Sequence, residues 1–459
     1  MVIRLLLLAS LTLLFAGCGE ERATVRSDVS IFVSCDTNGW IVPCGCSAGQ
    51  SGGLVKRASL FEKVASQDGN RDSTLILDVG GAASGVSDYH RLKLEAILNG
   101  ELAMGLAVHN IGRSEAEFGV DVLRNLMEES SVPFVSANIR DGAGELIAPA
   151  YRIVESGQNK FAVIGVLDPG FKTGEIEISD PKQAVLDAIA TIDGQADAVI
   201  VLAYLKQESL EQLARQVPEA DLVLGGPTGQ TIAPSKPAAT WLASTTNKGK
   251  FVIHFRYMPN QDSIWDGEIL EVSDDYAEDV AQVENLKEFY DVLGKADLLA
   301  TETGLTRQIK RRQIQGKQFA GNANCRSCHV QDCSHWSSTK HAHAWDTLSK
   351  KFSHVDPYCQ QCHTTGYGQT GGFMSVAKSK KMVNVGCESC HGPSVDHSAN
   401  PKVRTTMVAA DSCVGCHDRE NSPAFNYDEY WKTITHGVKV SVTEVKPNPD
   451  QESTGAEDH

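Results

Sequence analysis

Four copies of one cysteine and histidine pattern carry the most specific chemistry in this sequence. In each copy two residues separate two cysteines and a histidine follows directly, at Cys325–His329, Cys359–His363, Cys387–His391 and Cys413–His417. This spacing is typical of covalent haem c attachment, in which two thioethers hold the porphyrin and the histidine binds the iron. The sequence therefore predicts four haems c, held by Cys325, Cys328, Cys359, Cys362, Cys387, Cys390, Cys413 and Cys416. The predicted iron ligands are His329, His363, His391 and His417.

Zinc binding and disulfide formation are two other roles for these cysteines, but neither accounts for all the residues of the pattern. Paired zinc knuckles would leave the histidine after every second cysteine unexplained, and a disulfide framework requires no histidine at a fixed offset. Between Cys325 and His417 the chain has one leucine, Leu348, and no isoleucine. So little aliphatic material cannot offset the entropy of ordering the chain, so we expect this stretch to be unfolded without haem.

The length and charge of the chain limit its class. At 459 residues, two to three domains are expected. The formal net charge of -16 argues against a nucleic-acid partner, which would need a basic face for its phosphates. It favours solubility and redox partner proteins with basic surfaces.

The N-terminus has the pattern of an export signal. Arg4 is followed by an apolar run that ends at Phe15 and is too short for a membrane span. The next residues, Ala16-Gly17-Cys18, resemble a bacterial lipobox, in which the cysteine is acylated, although Phe15 stands where leucine is usual. A plain signal peptide with Cys18 as a stray thiol is the alternative. We expect an exported protein, periplasmic or at the outer membrane, that a lipid on Cys18 holds to the membrane.

Strands and helices alternate from about Ser27 to about Tyr257, which predicts a layered α/β domain. The predicted strands are Val29–Val33, Ser73–Asp78, Val132–Ala137, Phe161–Val166 and Ala198–Ala203. The predicted helices are Leu54–Val64, Gly119–Glu128 and Lys182–Ile192.

The order of these segments resembles the metallophosphoesterase domain of periplasmic 5'-nucleotidases. The matching segments are Ile31–Asn38, Gly52–Leu54 with Arg57, Leu75–Gly81, Asn110–Gly119, Val135–Asn138, Val199–Tyr204 and Leu222–Gly229. The resemblance implies that family's layered sandwich, but of its metal ligands only Asp36 is kept. The other ligand positions read Gly80-Gly81, Arg113-Ser114, Tyr204 and Pro227-Thr228-Gly229. Because two-metal hydrolysis needs ligands for both ions, we predict no phosphoesterase activity.

Three cysteines of this domain form a second candidate site. Cys35, Cys44 and Cys46 follow the first predicted strand, at the carboxyl edge where open α/β sheets bind ligands. They could form a redox disulfide or bind a soft metal in place of the lost ions. The alternative is a structural disulfide of an exported protein, with one thiol idle.

The residues around the four motifs resemble the tetrahaem cytochrome c-554 family. The resemblance covers Phe319–Asn322, Trp336–Ala344, Cys362–Gly368 and Cys387–Pro393, and extends to Trp431 and His436. It implies a mainly α-helical domain packed around haem, with three bis-histidine haems and one that has an open position. By position, we expect His341, His397 and His436 to be distal ligands, and the haem at Cys359–His363 to be the open one. Other candidates are His335, His343, His354, Met374, Met382 and Met407.

The predicted organisation combines these parts. The predicted segments are a signal at 1–18, the α/β domain at 27–272, a helical connector at 273–317, the haem domain at 318–440 and a disordered tail at 441–459. The first predicted function is a lipid-anchored electron carrier whose degenerate phosphoesterase-like domain docks a partner or positions the haems. The second is a redox enzyme for a small nitrogen or sulfur compound, acting at an open haem or at the Cys35, Cys44 and Cys46 cluster. A residual nucleotidase is a remote third.

Overall fold

The structure is a computed structural model that describes residues 26–43, 50–246, 248–305, 317–405 and 409–437. The predicted signal and lipid site at Cys18, the thiols of Cys44 and Cys46, and Met407 lie outside these ranges. The tail at 441–459 and the connector residues 306–316 lie outside them as well.

Fourteen strands lie in the first part of the described chain. The first seven are β1 Val29–Ser34, β2 Thr74–Asp78, β3 Leu106–Asn110, β4 Phe134–Val135, β5 Ile139–Arg140, β6 Tyr151–Ser156 and β7 Asn159–Leu167. The next seven are β8 Glu177–Ile178, β9 Ala198–Tyr204, β10 Leu222–Gly226, β11 Ile232–Ser235, β12 Trp241–Ser244, β13 Phe251–Tyr257 and β14 Trp265–Glu271. The helices of this part are α1 Leu54–Gln67, α2 Asp88–Ala103, α3 Arg113–Ala116, α4 Val120–Glu129, α5 Pro181–Ile192, α6 Gln207–Gln216 and α7 Val280–Ala296.

Two six-stranded sheets form this α/β domain. Their strand orders are β14-β13-β1-β2-β3-β4 and β11-β12-β10-β9-β7-β6. In each sheet four neighbouring strands run parallel. Antiparallel strands complete one end of the first sheet, with β13 and β14, and both ends of the second sheet, with β11 and β6. Every residue of β1 is buried, as expected for a strand of a sheet that is covered on both faces.

Helices cover the outer faces of the two sheets. α1, α2 and α7 pack together, and α2 contacts β3 of the first sheet. α5 contacts β7 and α6 contacts β10 of the second sheet. Side chains from both sheets, such as Phe32 and Phe161, meet in one apolar core. The layered α/β class predicted from the sequence is confirmed.

One predicted strand is much shorter in the structure. The sequence predicts Val132–Ala137, whereas β4 covers only Phe134–Val135. β4 is the last strand of its sheet and pairs with β3 alone. Pro133 also lacks the N–H that a longer ladder would use.

Helix α7 lies within the predicted connector and ends at the haem domain. It ends at Asp297, whose backbone is left-handed with a φ of 40°. The Asp297 carboxylate accepts hydrogen bonds from Ser375 Oγ at 2.8 Å and from the Val376 N–H at 2.9 Å. Asp297 therefore ties the end of α7 to the haem domain.

The haem domain is built from short helices. They are α8 Asn322–Cys325, α9 Val330–Ser337, α10 Ala344–Ser349, α11 Pro357–His363, α12 Cys387–His391, α13 Val395–Ala399, α14 Ala409–Val414 and α15 Tyr427–Ile434. The buried apolar cluster of this domain consists of Phe319, Phe373 and Met382, so this methionine acts in packing. Across the described ranges, no helix is both long enough and apolar enough to cross a bilayer.

Candidate haem-binding site

The four motifs lie on or beside short helices. α11 contains the second motif, and α12 spans the third. α8 ends at Cys325 and α14 contains Cys413, so these helices begin the first and fourth motifs. Because positions i, i+3 and i+4 of a helix share one face, the helical motifs present two thiols and an imidazole together.

Three of the motif histidines face a second histidine. The pairs, with the distance between their ring centroids, are His329–His397 at 6.0 Å, His341–His417 at 6.2 Å and His391–His436 at 6.0 Å. In each pair, one member follows two thiols and the other is a predicted distal ligand. The structure therefore brings together residues that are up to 76 positions apart in the chain, as in the pair His341–His417.

These separations fit one iron between two rings. A metal lies about 2 Å from an imidazole nitrogen, so two rings on opposite sides of one iron have centroids about 6 Å apart. Direct stacking brings rings closer, as His417 and Phe425 show at 4.7 Å. The histidine pairs therefore have the spacing that a bis-histidine haem needs.

The Nδ1 atoms of several rings have backbone partners that set their tautomer. The Nδ1 atoms of His363, His397 and His436 lie 2.8, 2.7 and 2.8 Å from the carbonyl oxygens of Ala344, Val403 and Ile434. A carbonyl oxygen only accepts, so Nδ1 carries the proton and donates it. The lone pair is then on Nε2, an arrangement that orients imidazole ligands in metal centres.

The protonation of two paired histidines also suits metal binding. Burial lowers the pKa of His341, and the neighbouring His417 lowers it further. Burial and the neighbouring His436 lower the pKa of His391. Both shifts favour the neutral imidazole, which is the form that binds a metal.

The second motif faces a cavity of about 2190 Å³ between the two domains. Cys359, Cys362 and His363 line it from the haem domain, and the fourth motif lines it as well. Tyr89 and Lys93 of α2 line it from the α/β domain. Pockets for small molecules measure about 300–1,000 Å³, so this cavity has room for macrocycles as large as haem.

The structure also places the other candidate histidines. The His335 ring lies 6.0 Å from His436, which therefore has two histidine neighbours. His343 is exposed, and its Nδ1 lies near a carboxylate on the surface. The His354 ring packs edge-on against Trp345 with centroids 5.7 Å apart.

The motif residues do not gather into zinc sites. In the part of the chain that the structure describes, the group of three side chains close enough to share a metal ion is Asp78, Glu101 and His109. All three are buried in the α/β domain, where His109 pairs with Glu101 at 3.1 Å and with Glu115 at 3.5 Å. A zinc knuckle would need four cysteine or histidine ligands around one ion.

A tyrosine fills the cleft where the nucleotidase resemblance places metal ligands. Tyr204, at the end of β9, donates its hydroxyl to Asp36 Oδ1 at 3.3 Å, and Thr246 donates to Asp36 Oδ2 at 3.1 Å. A side chain at Gly81 would place its Cβ 2.7 Å from the Tyr204 ring. The phenol therefore occupies the space that an aspartate at position 81 would need.

The thiol predicted beside this cleft is fully enclosed. Cys35 is 0% exposed, and burial raises the pKa of its thiol well above the ordinary value, with a further increase from Asp36. Since the thiolate is the reactive form, this setting opposes reactivity at Cys35. Cys44 and Cys46 lie outside the described residues, so a redox disulfide, a soft-metal site and a structural disulfide all stay predictions for them.

The space around Asp36, which we name the old metal cleft because the nucleotidase resemblance places metal ligands there, shares residues with the cavity that the second motif faces. The cleft, of about 400 Å³, is lined by Asp36 and Thr246 and also by Asn38 and Lys248. Asn38 and Lys248 line the large cavity as well. The two spaces therefore meet at these side chains, a connection that no local pattern in the sequence indicates.

Comparisons with known proteins find different relatives for the two domains. Residues 324–392 match the family model described as cytochrome c554 and c-prime. Cytochrome c-554 of Nitrosomonas europaea is 36% identical over 90 residues, which are 16% of this chain and 38% of that protein. The resemblance predicted for the haem domain is confirmed.

The α/β domain is similar to nucleotidases. Snake venom 5'-nucleotidase of Gloydius brevicauda is 24% identical over 208 residues, which are 42% of this chain and 34% of that protein. The solved 5'-nucleotidase precursor of Thermus thermophilus has a TM-score of 0.50 and 17% identity, over 60% of this chain and 61% of that one. At this identity the likeness shows the metallophosphoesterase-like fold alone. The chain spans little more than a third of the length of either curated relative.

Proposed function

We propose that this protein is an exported c-type cytochrome that carries electrons with four haems. The observation that supports it best is the set of three histidine pairs, with ring centroids 6.0–6.2 Å apart. Each pair combines a histidine that directly follows two thiols with a second one from elsewhere in the chain. The likeness of residues 324–392 to a cytochrome family supports the same function.

The side chains of the haem domain have distinct roles in this proposal. The motif thiols hold the porphyrins, and the proposed axial pairs are His329 with His397, His391 with His436, and His417 with His341. Bound haem would supply one-electron redox chemistry at its iron. Two histidines on one iron leave no place for a substrate, which suits a carrier. The resemblance to the cytochrome family implies one haem with an open position, and we expect it to be the haem held by Cys359 and Cys362.

The α/β domain positions the haem domain or docks a partner in this proposal. Its direct contacts support a positioning role: Asp297 binds backbone and side-chain donors at 375 and 376, and Tyr89 donates to Asp356 Oδ1 at 2.8 Å. A lipid on Cys18 would hold the protein to the membrane. The net charge of -16 would favour a redox partner with a basic surface.

Haem content per chain tests this function. We expect protein from a host competent for cytochrome maturation to have the mass of the polypeptide plus four haems. The double variant Cys413→Ser with Cys416→Ser should lose one haem, whereas Cys333→Ser should keep all four because Cys333 belongs to no motif. A colourless protein with the mass of the polypeptide alone would show that the function is wrong.

The junction of the two cavities favours a second candidate function, a redox enzyme for a small nitrogen or sulfur compound. Asn38 and Lys248 connect the old metal cleft to the space beside the second motif. Pro43 and Gln50, which flank the segment with Cys44 and Cys46, line the same space. Oxidation or reduction of the bound haems by hydroxylamine, nitrite or sulfide, followed anaerobically by absorbance, would favour the enzyme. No response to any of the three would favour the carrier.

A further inference from the structure

A lysine of the α/β domain lies beside the second haem-binding motif. The Nζ atom of Lys93, on α2, lies 5.2 Å from the ring centre of Tyr89 and 5.1 Å from that of Tyr358. Nζ also donates a hydrogen bond to Tyr89 Oη at 2.9 Å. Because Tyr358 directly precedes Cys359, the ammonium group lies at the start of this motif.

Tyr89, which accepts the hydrogen bond from Lys93, also contacts α11, the helix that contains the second motif. Tyr89 is buried and donates its hydroxyl to Asp356 Oδ1 at 2.8 Å. Asp356 is the N-cap of α11, and its carboxylate accepts the Tyr358 N–H at 2.8 Å. An N-cap of this kind satisfies a donor that the helix itself leaves without a partner. Helix α2 therefore holds both α11 and Lys93 in one arrangement.

Lys93 has no acidic partner among the residues that the structure describes. Two other lysines that line the same cavity do have one, since Lys56 pairs with Asp274 and Lys248 pairs with Glu420. Two aromatic rings stabilise a cation by less than a partly buried charge loses when it leaves water. An anion in the cavity would supply a negative charge to pair with the ammonium group of Lys93.

We propose that Lys93 pairs with a propionate carboxylate of the haem held by Cys359 and Cys362, which makes the α/β domain part of that haem's pocket. The inference rests on the proposed function, because it requires haem at the second motif. A positive charge beside the porphyrin favours the reduced state, which carries one more electron. Lys93 thus raises the reduction potential of one haem, and the α/β domain gains a role in setting that potential.

Potentiometric titration of the full chain, with all haems bound, tests the role of Lys93. In Lys93→Met we expect one of the four midpoint potentials to become more negative and the other three to stay. Lys93→Arg keeps the charge and should restore the wild-type potential. The matched control is Lys63→Met, because Lys63 also lies over a tyrosine ring, that of Tyr276, but does not line the cavity.

The outcomes separate this inference from the proposed function. Wild-type protein without four haems would overturn the function, whereas four haems with potentials that Lys93→Met leaves unchanged would overturn the inference alone. A shift of all four potentials, or an equal shift in Lys63→Met, would also contradict it. If Lys93→Met does not accumulate, Lys93→Gln keeps a donor for Tyr89 and should give the same negative shift.

Discussion

The two domains of this protein differ in how much apolar side chain they bury. The α/β domain buries a large apolar core from both sheets, with side chains such as Phe32, Phe161 and Leu202 at 0% exposure. The corresponding cluster of the haem domain has three members, Phe319, Phe373 and Met382. Each large apolar side chain contributes about 1.5–3 kcal/mol when buried, so we expect the α/β domain to fold by itself and the haem domain to need its cofactors.

The domain with the larger apolar core is the one with fewer of the residues that its expected chemistry needs. The α/β domain has the metallophosphoesterase-like fold, but other residues stand at most positions where the nucleotidase resemblance places metal ligands, and Tyr204 fills part of that space. The haem domain keeps every motif thiol and histidine but has little core. The difference teaches that a fold does not by itself carry the function of the proteins that share it. The domain with the weaker core is the one whose cofactors we expect to be active.

The largest difference between the two domains is expected when haem is withheld. In a host without cytochrome maturation, we expect the α/β domain to fold and the region after Phe319 to remain unfolded, because porphyrin surface is missing from its core. Limited proteolysis with mass spectrometry would then leave one protected fragment that ends near α7. Equal protection of both domains without haem would contradict this expectation.

Removing a charge from the α/β core should have a large effect on that domain alone. His109 lies between Glu101 and Glu115, and its removal as His109→Gln should lower the free energy of unfolding by about 3–5 kcal/mol. The haem absorbance should stay unchanged. Denaturant titration followed by circular dichroism measures the loss, and a His343→Gln variant at an exposed position serves as a control with no effect.

The pH dependence of this loss follows from the His109 pKa. Burial lowers this pKa, but the charge of Asp78 and the hydrogen bonds that His109 donates to Glu101 and Glu115 outweigh burial, so the pKa lies well above its ordinary value. A histidine with a raised pKa contributes its stability in full below the unfolded pKa and loses it as the pH rises through the folded pKa. The gap between wild type and His109→Gln should therefore be widest near pH 6 and should narrow in alkaline solution. A gap that widens with pH would contradict the assigned charges.

A smaller effect, confined to one haem, is expected when a proposed distal ligand is removed. His341→Ala should convert one low-spin haem to high spin, because its ring lies 6.2 Å from that of His417. His343→Ala, two residues further along the same turn, should leave all spin states unchanged because His343 faces solvent. Electron paramagnetic resonance of the oxidised proteins distinguishes the two variants. An identical result for both would remove the proposed pairing.

No effect at all is expected from supplying metal to the old metal cleft. Nucleotides and cyclic nucleotides with added Mn²⁺ or Zn²⁺ should not be hydrolysed, because Asp36 is bound by Tyr204 and Thr246 and the second ion has no ligands at the positions that the nucleotidase resemblance assigns. Phosphate release measures the reaction. Turnover above that of an Asp36→Asn variant would show that the cleft is still active.

The sequence predicts the α/β layers well because buried parallel strands are continuous apolar runs. Val29–Val33 and Ala198–Ala203 match β1 and β9 within one residue at each end. The motif thiols and histidines follow from spacing alone. The antiparallel strands of the first sheet, β13 and β14, are not among the predicted strands. Polar residues interrupt their apolar runs, as His254 and Arg256 do in β13 and Asp266 and Glu268 do in β14.

Contacts across long stretches of chain could not be read from the sequence. Tyr204 and Asp36 are 168 positions apart, so nothing local shows that a phenol fills the metal cleft. Tyr89 and Asp356 are separated by 267 positions, and only the folded chain brings α2 to the second motif. Position and family resemblance predict His341, His397 and His436 as distal ligands. The sequence does not show which motif histidine each one faces, because a separation of many tens of residues along the chain fixes no distance in space.

The spin states of the irons in the fully loaded protein test the central claim most directly. Electron paramagnetic resonance with parallel iron quantification should show three low-spin bis-histidine haems and one high-spin haem per chain. The high-spin signal should disappear when nitric oxide is added, whereas the other three should not change. Fewer than three bis-histidine signals, or iron held without porphyrin, would contradict the account.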